Sequence, residues 1–129
     1  MNDKSYERTF IMKKNCTSDK HDHDVSLKEV KDLMPQDSLL CDLGDLFKLF
    51  GDTTRIKILF SLFERDLCVL EITNLLGMEQ SAVSHQLRIL KDAKLIGSRR
   101  EGKMNVYYLM DDHVRSIIGQ GYEHLTEGE

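Results

Sequence analysis

Between Val69 and Leu90 the apolar residues fall into two short helical stripes separated by one glycine, an arrangement that few folds accommodate. Val69, Ile72, Leu75 and Leu76 step by three and four, which places them on one face of a helix with 3.6 residues per turn. That helix ends at Gly77, a residue suited to the left-handed position that follows a helix. A second helix is expected from about Gln80, with Val83, Leu87 and Leu90 facing inward. Its opposite stripe is Ser81, Ser84, His85, Arg88 and Lys91, and every member can hydrogen-bond. Two short helices around a glycine turn, the second with a polar outer face, describe a helix-turn-helix.

After Lys94 the rhythm changes from helical to alternating. Leu95 to Arg100, a Glu101-Gly102-Lys103 turn, and Asn105 to Met110 with Val106, Tyr107 and Tyr108 read as a β-hairpin with basic residues towards its tip. Residues 80–106 carry Arg88, Lys91, Lys94, Arg99, Arg100 and Lys103 against only Asp92 and Glu101, a cationic segment within a chain whose net charge is -4. The expected fold is therefore mainly α with a small β-hairpin, a winged helix-turn-helix, and the expected partner is double-stranded DNA. Ser81, Ser84, His85, Gln86, Arg88 and Lys91 are the side chains expected at base edges and phosphates, and Arg99, Arg100 and Lys103 those expected on the adjacent backbone.

The remainder of the chain supports this unit. At 129 residues one domain with a real core is expected. Residues 1–24 lack apolar periodicity and read as a flexible N-terminal arm, leaving 25–129 as the DNA-binding and dimerisation domain. A short amphipathic stretch from Val25 to Leu33 stops before Pro35, and Leu39, Leu40, Leu43, Leu46, Phe47 and Phe50 mark the next helix. Asp52 is placed to cap a helix from Thr53 that turns Ile56, Leu59, Phe60 and Phe63 to one side. A last helix from about Asp112 to Glu127 carries Val114, Ile117, Ile118, Gly121 and Leu125 as a narrow apolar seam. No apolar run approaches the roughly 18 residues of a membrane span and no secretory leader is recognisable, so a cytoplasmic protein is expected, with neither a membrane nor a small organic substrate as partner. Three cysteines, at 16, 41 and 68, make no disulfide framework; Cys41 is expected to pack within a helix.

Three stretches carry a family resemblance. Gly51-Asp52-Thr53-Thr54-Arg55-Ile56-Lys57-Ile58-Leu59, Asp66-Leu67-Cys68-Val69-Leu70-Glu71-Ile72 and Gln80-Ser81-Ala82-Val83-Ser84-His85-Gln86-Leu87-Arg88-Ile89-Leu90 resemble the ArsR/SmtB metal-sensing repressors over about residues 38–127. The resemblance implies a homodimeric winged-helix repressor that leaves its operator when metal binds, controlling metal efflux or detoxification genes. Thr53 stands where the family usually has Pro, Glu79 where it usually has Ser before the recognition helix, and Leu70 where the second Cys of its Cys-Val-Cys metal box stands.

The last helix offers Asp111, His113, His124 and Glu127. Eleven residues of helix turn about 1,100°, so His113 and His124 lie about 20° apart in azimuth and roughly 16 Å apart along the axis. They share a face and cannot share an ion, since zinc needs its donors about 2.0–2.2 Å away. Two antiparallel copies resolve the difficulty, because Asp111 and His113 of one chain then meet His124 and Glu127 of the other, twice over, about a two-fold axis. By spacing alone the four are equally the ordinary polar residues of a surface helix. The family's dimer-helix site, Asp-x-His, ten residues, His-x-x-Glu, matches all four. Nitrogen and carboxylate donors without thiolate favour Zn²⁺, with Co²⁺ as a surrogate.

A second constellation is Cys68 with Glu71 at i, i+3, joined by Cys16, His21 and His23 from the arm, as in family members whose arm donates ligands to the other subunit. There Cd²⁺ or Pb²⁺ would be accepted as well. The other reading of Cys68 is a small buried hydrophobe. The resemblance further implies a hydrogen bond from His124 to the carbonyl of Lys94. Two alternatives stand beside the metal sensor: a thiol- or persulfide-responsive repressor of the same fold using Cys16, Cys41 and Cys68, and a small metal hydrolase. An enzyme is not expected, because the last helix's four groups would all be spent as ligands, leaving neither an open zinc position nor a general base.

Overall fold

The structure is a computed structural model that describes residues 20–127, with side chains from residue 26. It divides into two units, Met1–Leu40 and Cys41–Glu129. The order of elements is α1 (Lys20–Leu33), α2 (Asp37–Phe50), α3 (Thr53–Ser61), β1 (Leu67–Cys68), α4 (Val69–Leu76), α5 (Gln80–Asp92), β2 (Ile96–Glu101), β3 (Met104–Leu109) and α6 (Asp112–Thr126). Helix α1 opens at Lys20, inside the segment read as an arm, because the polar run to Asp24 continues the helix instead of preceding it. Among the described residues no helix is long and apolar enough to cross a membrane.

The helix-turn-helix forms as the spacing predicts. Gly77 takes the left-handed conformation, φ 66°, after α4, and its N–H and that of Met78 both donate to the Thr73 carbonyl. Three residues then separate the helices before α5 begins at Gln80. Ile72, Val83 and Leu90 are fully buried, and with Ile58, Leu59, Leu62, Leu87 and Ile96 they make the centre of the core. Burying each such side chain contributes about 1.5–3 kcal/mol. Leu75 departs from expectation, lying 64% exposed on the far edge of α4.

Helix α3 is buried on two sides, not one. Asp52 caps it, its Oδ2 accepting from the Arg55 N–H at 3.1 Å. Ile58 and Leu59 face the core, whereas Ile56, Phe60 and Phe63 are only partly buried. The sequence stripe of Ile56, Leu59, Phe60 and Phe63 had mixed the two faces, since a short all-apolar run leaves more than one inward side possible.

Among the described residues the sheet has three antiparallel strands in the order β1-β3-β2. β2 and β3 are the expected hairpin, turned at Gly102 with φ 62°. β1 was not anticipated: Leu67 pairs with Tyr107 and Cys68 with Val106, so Cys68 ends a strand and caps α4 instead of riding on a helical face with Glu71. Between α5 and β2 the chain turns at Lys94, which holds φ at 64°, a conformation that non-glycine residues rarely adopt.

Candidate nucleic-acid interface and metal-ligating helix

On α5 the residues opposite the core stand in solvent. Ser81, Ser84, His85, Arg88 and Lys91 are all exposed, and with Leu87, Asp92 and Tyr107 they line one polar groove. An adjoining hollow is lined by Gln80, Ser84, Lys103, Asn105 and Tyr107 together with Cys68 and its neighbours, so the inner face of the hairpin borders the recognition helix. Asp92, an acid within the groove, was not singled out from sequence. Glu79 caps α5 by backbone conformation alone and makes no side-chain cap bond, which leaves the first-turn amides without a side-chain acceptor.

Two of the residues expected to meet DNA have partners within the chain. Arg55 Nε donates to Gln86 Oε1 at 2.9 Å, tying α3 to α5. Because guanidinium only donates, the Gln86 carbonyl must face Arg55 and its amide nitrogen must face away. Gln86 is half-buried and sits off the exposed stripe, about 160° around the helix from its centre. Arg99 is held twice, its terminal nitrogen 2.7 Å from Asp66 Oδ2 and its Nε 2.7 Å from Glu101 Oε2, and these carboxylates raise its pKa further, Asp66 most. Among the described residues Arg100 donates to the Gly102 carbonyl, at 3.2 Å, and to no other partner.

Helix α6 runs unbroken from Asp112 to Thr126, ending one residue short of Glu127. Asp111 is its N-cap, with Oδ1 accepting from the Val114 N–H at 3.2 Å and lying 3.6 Å from His113 Nδ1. His113 is 91% exposed, and His124 and Glu127 are exposed at the other end. Among the described residues no group of three or more His, Cys, Asp or Glu converges within the chain. One end of α6 thus presents a carboxylate and an imidazole side by side, and the other presents the second pair. Arg115 of the same helix stacks 4.8 Å from the Phe63 ring centroid and donates to the Phe63 carbonyl at 2.8 Å.

Beside α6 lies an apolar cleft of about 370 Å³, lined among others by Phe47, Phe60, Ile117, Tyr122 and Leu125. Tyr122 and Leu125 are 57% and 79% exposed, and Leu43 and Phe47 of α2 are also open to solvent. Exposed aromatic and aliphatic groups in such a cluster are the kind of surface through which proteins meet partners or ligands.

Of the second constellation, Cys16 and the side chains of His21 and His23 lie outside the described residues. Cys68 is 3% exposed. Glu71 accepts from the Cys68 N–H at 3.0 Å and from Arg65 at 2.9 Å, and these two bonds, the Cys68 amide first, hold its carboxyl below the ordinary glutamate range. The i, i+3 pair of Cys68 and Glu71 therefore serves as a helix cap. Cys41 is in α2 but exposed, not packed.

Residues 52–98 match the family described as bacterial regulatory protein, arsR family. The chain is 36% identical over 98 residues to a cadmium resistance transcriptional regulatory protein CadC homolog of Staphylococcus aureus, covering 75% of this chain and 79% of that one. It is 34% identical over 109 residues to a transcriptional repressor SmtB homolog of a Synechocystis species, covering 81% and 82%. Among solved structures, the homodimeric winged helix-turn-helix DNA-binding domain of a possible ArsR-family regulator from Mycobacterium bovis superposes with a TM-score of 0.64 at 25% identity, over 74% of this chain and 95% of that one.

Proposed function

The chain belongs to the ArsR family of bacterial regulatory proteins, winged-helix transcriptional regulators and not enzymes, and from that premise we propose that it is a Zn²⁺-responsive repressor. It binds operator DNA as a metal-free homodimer and lets go when metal binds, which places metal efflux or detoxification genes under its control. The relatives named for cadmium resistance and for repression support a metal-responsive role. The observation that carries the choice of site is the layout of α6, with Asp111 and His113 at one end, His124 and Glu127 at the other, and the apolar cleft alongside.

A second copy laid antiparallel covers the cleft and brings the two half-sets together. Asp111 fits this use, since one oxygen caps the helix while the other is left to a ligand. Asp111 and His113 of one chain with His124 and Glu127 of the other would hold Zn²⁺, which would supply a tie between the two chains through nitrogen and oxygen donors. His124 and Glu127 serve as ligands from the end of α6, and by family likeness His124 donates its remaining ring N–H to the Lys94 carbonyl, at the joint between recognition helix and wing. Metal and DNA then oppose each other by a coupling of about 1–3 kcal/mol, equal in both directions. On the DNA side, Ser81, Ser84, His85, Arg88 and Lys91 enter the major groove, flanked by Arg100 and Lys103.

For the thiol-sensing alternative, Cys68 is buried and Arg65, the nearest cation in sequence, is engaged by Glu71, whereas Cys41 is exposed and Cys16 lies outside the described residues. The experiment is His124→Ala, read by zinc stoichiometry and by operator binding with and without zinc. Metal-free affinity is expected to be retained and zinc-driven release lost. Release that persists in this variant removes the α6 site from the mechanism.

A further inference from the structure

The outer face of the small sheet holds a cluster gathered around Arg99. Opposed residues of an antiparallel pair share a face. The register therefore puts Gly97, Tyr108, Arg99, Val106 and Glu101 on one side, and Ser98, Tyr107, Arg100 and Asn105 on the other. The second side borders the recognition helix through Tyr107 and Asn105. On the first side Tyr108 leans across Gly97, where an added Cβ would stand 2.6 Å from the ring. Arg99 lays its guanidinium over the same ring, 5.8 Å from the centroid, and reaches Asp66, the residue just before β1, at 2.7 Å. One side chain thus crosses from β2 over β3 to the β1 path.

The crossing matters because β1 is only two residues long. Past Val106 the hairpin has, among the described residues, two strands and no third, and a two-stranded ribbon is marginal in water. The cluster is also a poor phosphate site. Arg99 already faces two carboxylates, giving the group a net charge of about -1, so a phosphate would have to displace one anion while approaching another.

We propose that Arg99 is a positioning residue: with Asp66 it staples the wing to the β1 segment and sets its pitch, while Arg100 and Lys103 are the wing cations that meet the DNA backbone. The second half of this rests on the DNA-binding reading above. Two readouts separate the parts. In the free protein, Asp66→Asn and Arg99→Gln should each speed amide hydrogen exchange across residues 99–106 by about two- to five-fold, and the double variant should exceed neither single one. On a 30-base-pair duplex of mixed sequence, Arg100→Gln and Lys103→Gln should each reduce the salt slope of log affinity by about 0.9, with Arg99→Gln leaving the slope unchanged. Unaltered wing exchange in both single variants overturns the staple. A slope reduced as much by Arg99→Gln as by Arg100→Gln makes Arg99 a phosphate contact and overturns the assignment. Absence of salt-dependent duplex binding by the wild type defeats the DNA reading and the wing-cation assignment, while the exchange measurement still decides the staple.

Discussion

The recognition helix and the wing are both polar and cationic, yet they are built in opposite ways. On α5 the exposed stripe is free: among the described residues Ser81, Ser84, His85, Arg88 and Lys91 make no side-chain hydrogen bond or ion pair, and Val83, Leu87 and Leu90 hold the helix from behind. In the wing the backing is thin, and Arg99 is used on Glu101 and on Asp66. Where a core supports an element its surface charges are left for a partner; where the core runs out, some of the charges become the support.

The largest effect should come from removing the backing of α5. Leu90→Ala is expected to cost about 2–5 kcal/mol of unfolding free energy, measured by denaturant titration, since Leu90 is fully buried. In the wing, Gly97→Ala should cost about 1–3 kcal/mol, because the Tyr108 ring must move to admit the methyl group. A small loss from Leu90→Ala alongside a large one from Gly97→Ala would reverse the contrast. Arg88→Ala should weaken duplex binding by about 1–3 kcal/mol with unfolding unchanged, as befits a side chain without an internal role. The smallest effect concerns pH. Glu71 titrates below its unfolded value, so its contribution is present above the unfolded pKa and is lost as pH falls through the folded one. Glu71→Gln should therefore make the acid limb of the stability curve slightly shallower, as read by thermal unfolding across that limb.

Local signals were legible. Asp52 as a cap, Gly77 as a helix terminus, the inward face of α5 and the hairpin turn are each set by residues within four positions of one another, and each forms as the spacing implies. What the spacing does not announce is long-range. Gln86 finds Arg55 across 31 positions and Arg99 finds Asp66 across 33, and no pattern in either segment announces those partners. β1 was hidden for the same reason, since two residues have no periodicity and become a strand only by pairing with Val106 and Tyr107. The α6 ligand pattern was visible as spacing, but Asp111's work as a cap was not separated from its candidacy as a ligand.

Lys94 sits in a left-handed turn where glycine would be at ease. A lysine there costs about 1 kcal/mol of folded-state comfort, but its β-carbon narrows the range of angles through which the elements on either side can swing. The joint between α5 and β2 is thus confined more tightly than a glycine there would leave it.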